Sequence, residues 1–189
     1  AKERREFCLE MLRDVLTAVK TTRCIKWTVV VSMDATVFQT AKSFDVVPLK
    51  ESEPGLNQAV SEGVSWCVRN GAKSVLILPA DIPLVTPGDL DRIFSLGKVA
   101  SMVISPSRSK DGTNALLLTP PNILPTFYGK HSFRRYLKEA TKRAISLRTI
   151  KLPRIALDID TTEDLTDFVN LNTKETSTHK FLVDVGIYQ

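Results

Sequence analysis

The chain has 189 residues, of which 43% are hydrophobic and 25% are charged, and this is enough for one hydrophobic core of ordinary size. The formal net charge is +5, but the basic residues are spread along the chain without interleaved aromatic residues, so we expect no nucleic-acid partner. The same charge suits a small polyanion such as a nucleotide. We predict one domain over residues 1–172 and a C-terminal tail over 173–189.

Membrane and zinc-binding classes are disfavoured. No apolar stretch reaches the roughly 20 residues that cross a bilayer, and the basic N-terminal residues lack the apolar segment of a signal peptide. Cys8, Cys24 and Cys67 are widely spaced and form no Cys-x-x-Cys pair. With only His131 and His179 as imidazoles, oxygen ligands are the better candidates for a metal. We expect a cytoplasmic protein with reduced thiols and no membrane partner.

Helices and strands alternate in the first half of the chain. Apolar residues at helical spacing predict an amphipathic helix over residues 2–20. A second helix is predicted over 55–70, and Gly71 is expected to end it. Buried strands are predicted at 27–33, 44–48 and 74–79.

The second half continues this alternation. Thr86, Pro87 and Asp89 have the N-cap, first-position proline and capping-box acid that open a helix, and Thr161 with Asp164 repeats the capping box later. Strands are predicted at 101–105, 114–119, 145–151, 155–160 and 181–188, and a basic helix at 132–144. The last strand could pair with a sheet edge here or in a second subunit, as in a homodimer. This order predicts a three-layer α/β/α Rossmann-like domain with a mainly parallel sheet.

Three carboxylates stand where predicted strands end. Asp81 follows the strand at 74–79, and Asp158 and Asp160 lie in the strand at 155–160. Open α/β sheets usually carry their chemistry at the C-terminal ends of strands. Two acids two residues apart on a strand leave the same face. Because Mg²⁺ takes carboxylate and phosphate oxygens as ligands, this pattern predicts a magnesium site.

Each acid also has a purely structural interpretation. Asp81 could accept backbone hydrogen bonds in the turn that follows it. Asp160 could belong to the helix cap beside Thr161. This interpretation is weakest for Asp158, because an acid between two apolar neighbours is costly to bury unpaired.

Two other segments carry groups that suit phosphate. The loop 105–114 contains hydroxyls, a glycine and the cations Arg108 and Lys110, although most loops of this composition are solvated turns. The segment 128–135 runs into a predicted helix start, where free N–H groups and the helix dipole favour an anion beside Ser132. A serine N-cap with surface arginines is an equally good interpretation of that segment.

Four segments, in this order along the chain, resemble the 2-phospho-L-lactate guanylyltransferase family of coenzyme F-420 biosynthesis. They are Pro79-Ala-Asp-Ile-Pro-Leu, Asp111-Gly-Thr-Asn, Tyr128-Gly-x-x-Ser and Leu157-Asp-Ile-Asp-Thr-x-Glu-Asp-Leu, and Gly55-Leu-Asn-Gln-Ala fits as well. The resemblance spans roughly residues 7–170, and its Leu-Asp-Ile-Asp segment is the most specific part. The Ala-Asp-Ile-Pro segment alone would be shared with many nucleotidyltransferases.

The resemblance implies a nucleotidyltransferase fold of the nucleotide-diphospho-sugar transferase type. The implied reaction transfers GMP from GTP to phospholactate or phosphoenolpyruvate and releases diphosphate. By motif, Asp81, Asp158 and Asp160 would hold Mg²⁺ as catalytic residues.

The same resemblance implies the binding residues. Thr113, Gly129 and Ser132 would hold the phosphate of the acceptor, and Asn57 would lie near the nucleotide. Family members begin with a strand and a loop containing Lys and Arg, whereas this chain opens at or just before the following helix, with Lys2 as a candidate remnant. If the protein lacked that strand, a central position in the sheet would be empty.

Two alternative functions stay open at this point. A related nucleotidyltransferase, such as a molybdopterin guanylyltransferase or a sugar-phosphate nucleotidyltransferase, would use the same acids. A non-catalytic nucleotide-binding subunit would agree with the departure at the N-terminus. The three acids argue against that subunit, because a protein that only binds has no need of a metal cluster.

Overall fold

The computed structural model describes residues 2–171 and 173–187. The helices in these residues are α1 Lys2–Thr21, α2 Ala35–Ser43, α3 Leu56–Arg69, α4 Pro87–Gly97, α5 Ser132–Lys142, α6 Pro153–Ala156, α7 Thr162–Asn170 and α8 Ser177–Asp184. The strands are β1 Val29–Ser32, β2 Val47–Lys50, β3 Val75–Ile77, β4 Met102–Pro106, β5 Thr113–Leu118 and β6 Leu147–Thr149. No described helix has the length and apolar character needed to span a membrane.

The described strands form two sheets. One contains β1 and β2 in parallel, and the other has the order β3-β5-β4-β6. In the larger sheet β5 runs antiparallel to β3 and β4, whereas β4 and β6 are parallel. β3, β4 and β6 therefore point the same way, which confirms the predicted mainly parallel, mixed sheet. A cavity of about 460 Å³ is lined mainly by residues of α1 and β1, together with Ala80.

Side chains on the two faces of the larger sheet enter two different cores. Val103 and Leu117 pack with buried residues of α1 and α4. Ile104 and Leu116 pack with Tyr136 of α5 on the other face. Since successive strand residues point to opposite faces, helices must cover both sides of the sheet. The predicted three-layer α/β/α arrangement is confirmed.

Local sequence signals produce most of the element boundaries. Capping boxes form between Thr86 and Asp89 and between Thr161 and Asp164, where they open α4 and α7. Gly71 follows α3 with a φ of +83°, a conformation that glycine adopts without strain. The corresponding sequence predictions are confirmed, with ends shifted by a few residues.

The predicted strand over 155–160 is wrong. Its first residues belong to α6, Pro153–Ala156, and the following residues are extended without joining either described sheet. Proline at the first helical position favours the helix. The Ile159 N–H donates to the Asp81 carbonyl at 3.0 Å.

The predicted strand over 181–188 is also wrong, and its residue 188 lies outside the described residues. The region forms α8, Ser177–Asp184, in which Leu182 is buried against α1. Asp14 of α1 accepts hydrogen bonds from the first two backbone N–H groups of α8, at 2.7 and 2.9 Å. These contacts satisfy two of the N–H groups at the start of α8 that have no partner within the helix. The proposed division of the chain at residue 172 stays a prediction.

The helix α2, Ala35–Ser43, was not predicted. Asp34 accepts a hydrogen bond from the Thr36 N–H at 2.7 Å and caps it, and the apolar pair Val37 and Ala41 lies at helical spacing. An Asp followed by this spacing is a signal that could have found the helix.

Candidate active site

Asp81 lies beyond the end of β3, on the segment that leads into α4. Its side chain is half-buried, and its Oδ1 is buried without a hydrogen-bond partner. Backbone bonds in the following turn therefore do not account for this oxygen. An unpaired buried carboxylate oxygen is costly and calls for a ligand.

Asp158 and Asp160 lie on the extended segment after α6. Leu157 and Ile159 are buried and point into the core, so the two acids point the other way, as predicted. The carboxylate that caps α7 belongs to Asp164 and not to Asp160, so the helix-cap interpretation of Asp160 is not supported.

The two acid-bearing segments meet beyond the C-terminal end of β3. The hydrogen bond from Ile159 to Asp81 joins the two acid-bearing segments directly. Burial, followed by the charges of Asp160 and Asp158, raises the pKa of Asp81 to about 6. Burial, followed by the charges of Asp158 and Asp164, also raises the pKa of Asp160. The three carboxylates therefore repel one another, as they must when they lie close together.

The three acids carry the oxygen donors that a hard divalent cation prefers. Among residues 2–171 and 173–187, no three His, Cys, Asp or Glu side chains are already arranged as a metal-binding group. The acids nevertheless offer carboxylate oxygens, and Asp81 Oδ1 is buried without a partner. The charges of the three carboxylates also repel one another. A bound cation would satisfy that oxygen and relieve the repulsion.

Replacing Asp81 with asparagine is expected to stabilise the metal-free protein at pH 7. Folding raises the pKa of this acid from 3.8 to about 6, so the ionised form costs the fold about 2 to 3 kcal/mol at neutral pH. Asparagine keeps the shape without the charge. Urea unfolding with a chelator present, at pH 7 and at pH 4, measures the difference.

The sign of the pH dependence follows from the raised pKa of Asp81. Asp81 does not lower the free energy of unfolding when it is protonated in both the folded and the unfolded protein. Its destabilising effect develops as the pH rises from about 4 to above 6. The increase in the free energy of unfolding caused by Asp81→Asn should therefore be small at pH 4. Asp91→Asn, at an exposed position on α4, is the matched control. Destabilisation by Asp81→Asn at pH 7 would contradict the expectation.

The three predicted acceptor residues also meet. The Ser132 hydroxyl donates to Thr113 Oγ1 at 3.1 Å, and both side chains are buried. The Ser132 N–H donates to the Gly129 carbonyl at 3.0 Å, and Gly129 has a φ of +106°. Thr113 begins β5 at the same sheet edge from which Asp81 emerges, because β3 and β5 are antiparallel with Ile77 opposite Leu116.

Ser132 is not the N-cap of α5, which corrects the structural interpretation of that segment. His131 occupies the cap position with a φ of +60°, and Ser132 is the first helical residue. Asp111 holds this turn: its Oδ2 accepts from the His131 N–H at 3.1 Å, its Oδ1 contacts the imidazole, and its carbonyl accepts from Phe133. Sequence reasoning placed Asp111 in a motif but gave it no role.

The Arg108 side chain contacts acids on α7. It forms ion pairs with Asp164, at 2.6 Å, and with Asp167. The hydrogen bond with Asp167 chiefly raises the pKa of the guanidinium, with a smaller contribution from Asp158. The interpretation of Arg108 as an anion-binding residue stays a prediction, and Lys110 is exposed on the same loop.

Asn57 lies at the start of α3, and its side chain bonds to the backbone of Tyr128. Its Oδ1 accepts from the Tyr128 N–H at 2.7 Å, and its Nδ2 donates to the Tyr128 carbonyl at 3.0 Å. The predicted contact with a nucleotide stays a prediction. What the structure adds is a link from α3 to the segment before Gly129.

Sequence reasoning missed one ion pair beside the acids. Asp89, whose side chain is 2% exposed, accepts hydrogen bonds from Arg154 Nε at 2.8 Å and from its Nη2 at 3.0 Å. Asp89 lies on α4, after Asp81, and Arg154 lies on α6, just before Asp158. The pair therefore ties together the two segments that carry the acids.

Comparison with known proteins gives a consistent family. The family described as guanylyl transferase CofC like matches residues 1–188. A phosphoenolpyruvate guanylyltransferase of Rubrobacter xylanophilus is 38% identical, with 83% of this chain and 77% of the relative covered. A 2-phospho-L-lactate guanylyltransferase of Methanocaldococcus vulcanius is 33% identical, with 99% and 82% covered. A 3-phospho-D-glycerate guanylyltransferase of Colwellia psychrerythraea is 33% identical, with 87% and 79% covered.

Solved structures agree with this assignment at the level of the fold. A nucleotide-diphospho-sugar transferase structure from Desulfovibrio desulfuricans G20 superposes with a TM-score of 0.78 at 14% identity, covering 97% of this chain and 83% of that chain. Such a low identity shows the fold alone, and it confirms the predicted nucleotide-diphospho-sugar transferase type. The resemblance stated from the sequence is confirmed by the family match and the relatives, and the chain belongs to the guanylyl transferase family described as CofC like.

Proposed function

We propose that this protein transfers GMP from GTP to a small phosphorylated acid and releases diphosphate. Guanylyl transfer is the activity named for the family and for its relatives. The observation that carries the proposal is the single sheet edge shared by the acid cluster and by the buried hydroxyls of Thr113 and Ser132. Such an edge can hold two phosphate-bearing substrates side by side.

The reaction needs no dedicated general base. A phosphate monoester has a second pKa of about 6, so its oxygen is largely ionised at neutral pH and can attack the α-phosphorus of GTP directly. The new bond joins that oxygen to the α-phosphorus, and the bond to the leaving diphosphate breaks. The protein must therefore position two polyanions and offset their charge.

We assign roles to the residues on this basis. Asp81, Asp158 and Asp160 would hold Mg²⁺, which supplies charge neutralisation at the reacting phosphates when bound. Thr113, Gly129 and Ser132 would hold the phosphate of the acceptor, since two hydroxyls and the N-terminal turn of α5 lie there. Assembly as a homodimer and a cytoplasmic location stay predictions.

The acceptor is the finer part of the proposal. Relatives of similar identity are named for phosphoenolpyruvate, 2-phospho-L-lactate and 3-phospho-D-glycerate, which all combine a phosphate with a carboxylate. We propose phospholactate or phosphoenolpyruvate, with a place in coenzyme F-420 biosynthesis.

Diphosphate release by the natural full-length protein tests the proposal. Reactions contain GTP, Mg²⁺ and one of the three acceptors, with ATP and CTP as nucleotide controls and a chelator as metal control. We expect release that requires GTP, the metal and one acceptor.

Each other outcome has a definite meaning. Release that occurs with CTP or ATP would move the assignment to a sister nucleotidyltransferase. The same holds if none of the three acids supports release but a sugar phosphate or molybdopterin does in a further reaction. Nucleotide binding without release under any of these conditions, from folded protein, would favour the non-catalytic subunit. Equal release in the chelator would remove the metal from the proposal.

A further inference from the structure

The side chain of Asn57 bonds to both backbone polar groups of one residue in another segment. Its carbonyl oxygen accepts from the Tyr128 N–H at 2.7 Å, and its amide nitrogen donates to the Tyr128 carbonyl at 3.0 Å. The Thr126 hydroxyl donates to the backbone carbonyl of Asn57 at 3.2 Å. We call these three bonds the Asn57 clasp. Two antiparallel bonds from one planar amide fix orientation as well as distance.

The clasp holds one side of the segment Thr126–Tyr128, and Tyr136 of α5 holds the other. The Phe127 N–H donates to the Tyr136 hydroxyl at 2.9 Å, and the rings of Tyr128 and Tyr136 pack edge to face with centroids 5.7 Å apart. The Tyr128 hydroxyl is buried without a partner, so the hydrogen bonds of Tyr128 itself are those of its backbone. The segment is therefore positioned from α3 and from α5 together.

The held segment leads directly into the acceptor residues. Tyr128 precedes Gly129, whose φ of +106° turns the chain toward Ser132. Gly129 then accepts from the Ser132 N–H at 3.0 Å, and the Ser132 hydroxyl meets Thr113. A shift of Tyr128 would therefore move the turn that presents Gly129 and Ser132.

Asn57 lies outside the hydrophobic cores, so its contacts with Tyr128 can be tested without disturbing core packing. Asn57 and its neighbours Leu56 and Gln58 are exposed, and none of the residues of α3 is fully buried. Removing the amide should therefore leave the hydrophobic cores unchanged. The main consequence should be local, at the turn that the clasp holds.

We propose that Asn57 is a positioning residue for the acceptor, acting through Tyr128 on the turn between Gly129 and Ser132. The inference rests on the proposed function, because that function places the acceptor phosphate at this turn. It differs from the nucleotide contact that the family resemblance implies for Asn57. The two roles predict effects on different substrates.

Steady-state kinetics of Asn57→Ala distinguish the two roles. We expect KM for the acceptor to rise about tenfold, while KM for GTP and kcat change by no more than about twofold. Gln58→Ala is the matched control, because this exposed amide on the same turn bonds only to Glu62 among the contacts that the structure shows for its side chain. A rise in KM for GTP with an unchanged KM for the acceptor would overturn the proposal.

Hydrogen exchange tests the clasp without any turnover. In the ligand-free protein, peptides covering 127–132 should exchange about tenfold faster in Asn57→Ala than in Gln58→Ala, while β4 and β5 peptides stay unchanged. Thr126→Val, which removes only the third bond, should act in the same direction by a smaller factor. Unchanged exchange over 127–132 would overturn the clasp itself. Faster exchange in a protein that transfers no GMP would keep the clasp and reject the proposed function.

Discussion

Asp158→Asn and Asp160→Asn are each expected to lower the rate of GMP transfer by about a thousandfold or more, which corresponds to roughly 4 kcal/mol of transition-state stabilisation. Asparagine keeps the shape but loses the charge that holds a cation. Asp160→Asn should leave the fold intact, because burial and neighbouring acids raise the pKa of Asp160, so its charge is a cost and not a source of stability. Asp158→Asn should leave it intact because Asp158 lies outside the hydrophobic cores. Diphosphate release gives the rate, and thermal unfolding verifies the fold.

Glu163→Gln is the matched control for these variants. Glu163 is an exposed acid in the first turn of α7, close in sequence to Asp160, and its replacement changes the net charge by the same amount. Its rate should stay within about twofold of the wild-type rate. A near-normal rate in Asp158→Asn or Asp160→Asn would remove that residue from the metal site.

Asp89→Ala is expected to lower the free energy of unfolding by about 3 kcal/mol, the largest effect on stability that we predict. The substitution removes the capping box of α4 and the buried end of the ion pair with Arg154. Because Arg154 precedes Asp158 on the chain, its release should also loosen the acid-bearing segment and lower activity. Urea unfolding at pH 7 measures the change in stability.

The pH dependence of this effect has a definite sign. Burial alone raises the pKa of Asp89, but the hydrogen bonds from Arg154 and Thr86 outweigh it and hold the pKa below 3.8. The contribution to stability is therefore present above about pH 4 and is lost as the pH falls through the lower folded value. The difference in the free energy of unfolding between wild type and Asp89→Ala should become smaller only below about pH 4.

Two further variants separate the parts of the effect. Arg154→Ala leaves the Thr86 bonds in place and removes only the ion pair, so it should account for more than half of the loss. Asp91→Ala, at an exposed position on the same helix, should change stability by less than about 0.5 kcal/mol. A loss of about 1 kcal/mol in Asp89→Ala, the value of a cap alone, would show that the ion pair contributes nothing.

The elements that were predicted correctly carry a local signal in the sequence. The helix of α1 followed from its apolar spacing, and α4 and α7 followed from Thr86 with Asp89 and Thr161 with Asp164. These signals depend on contacts within a few residues, so the sequence contains all of the partners. The alternation of strands and helices then predicted the layered fold.

Two segments that also bond to distant partners were predicted wrongly. The alternating apolar residues of 181–188 indicated a strand, yet α8 forms with a local N-cap at Thr176. Asp14 of α1 also accepts from its first N–H groups, and Leu182 packs against α1. The extended acid-bearing segment was predicted as a strand, but its backbone bonds to Asp81 instead of to a sheet. In both cases one of the hydrogen bonds joins residues more than 60 positions apart in the sequence.

By itself, the sequence determined the residue types of the candidate site, the α/β alternation and the family. It could do so because acids, caps and apolar periods are encoded locally and in a fixed order along the chain. Only the tertiary structure decided that Asn57 bonds to Tyr128, that Asp89 pairs with Arg154, and that the acids share an edge with Ser132 and its partner hydroxyl. These pairs join segments that are distant in sequence. Packing of the hydrophobic cores brings the segments together, and no local pattern specifies that packing.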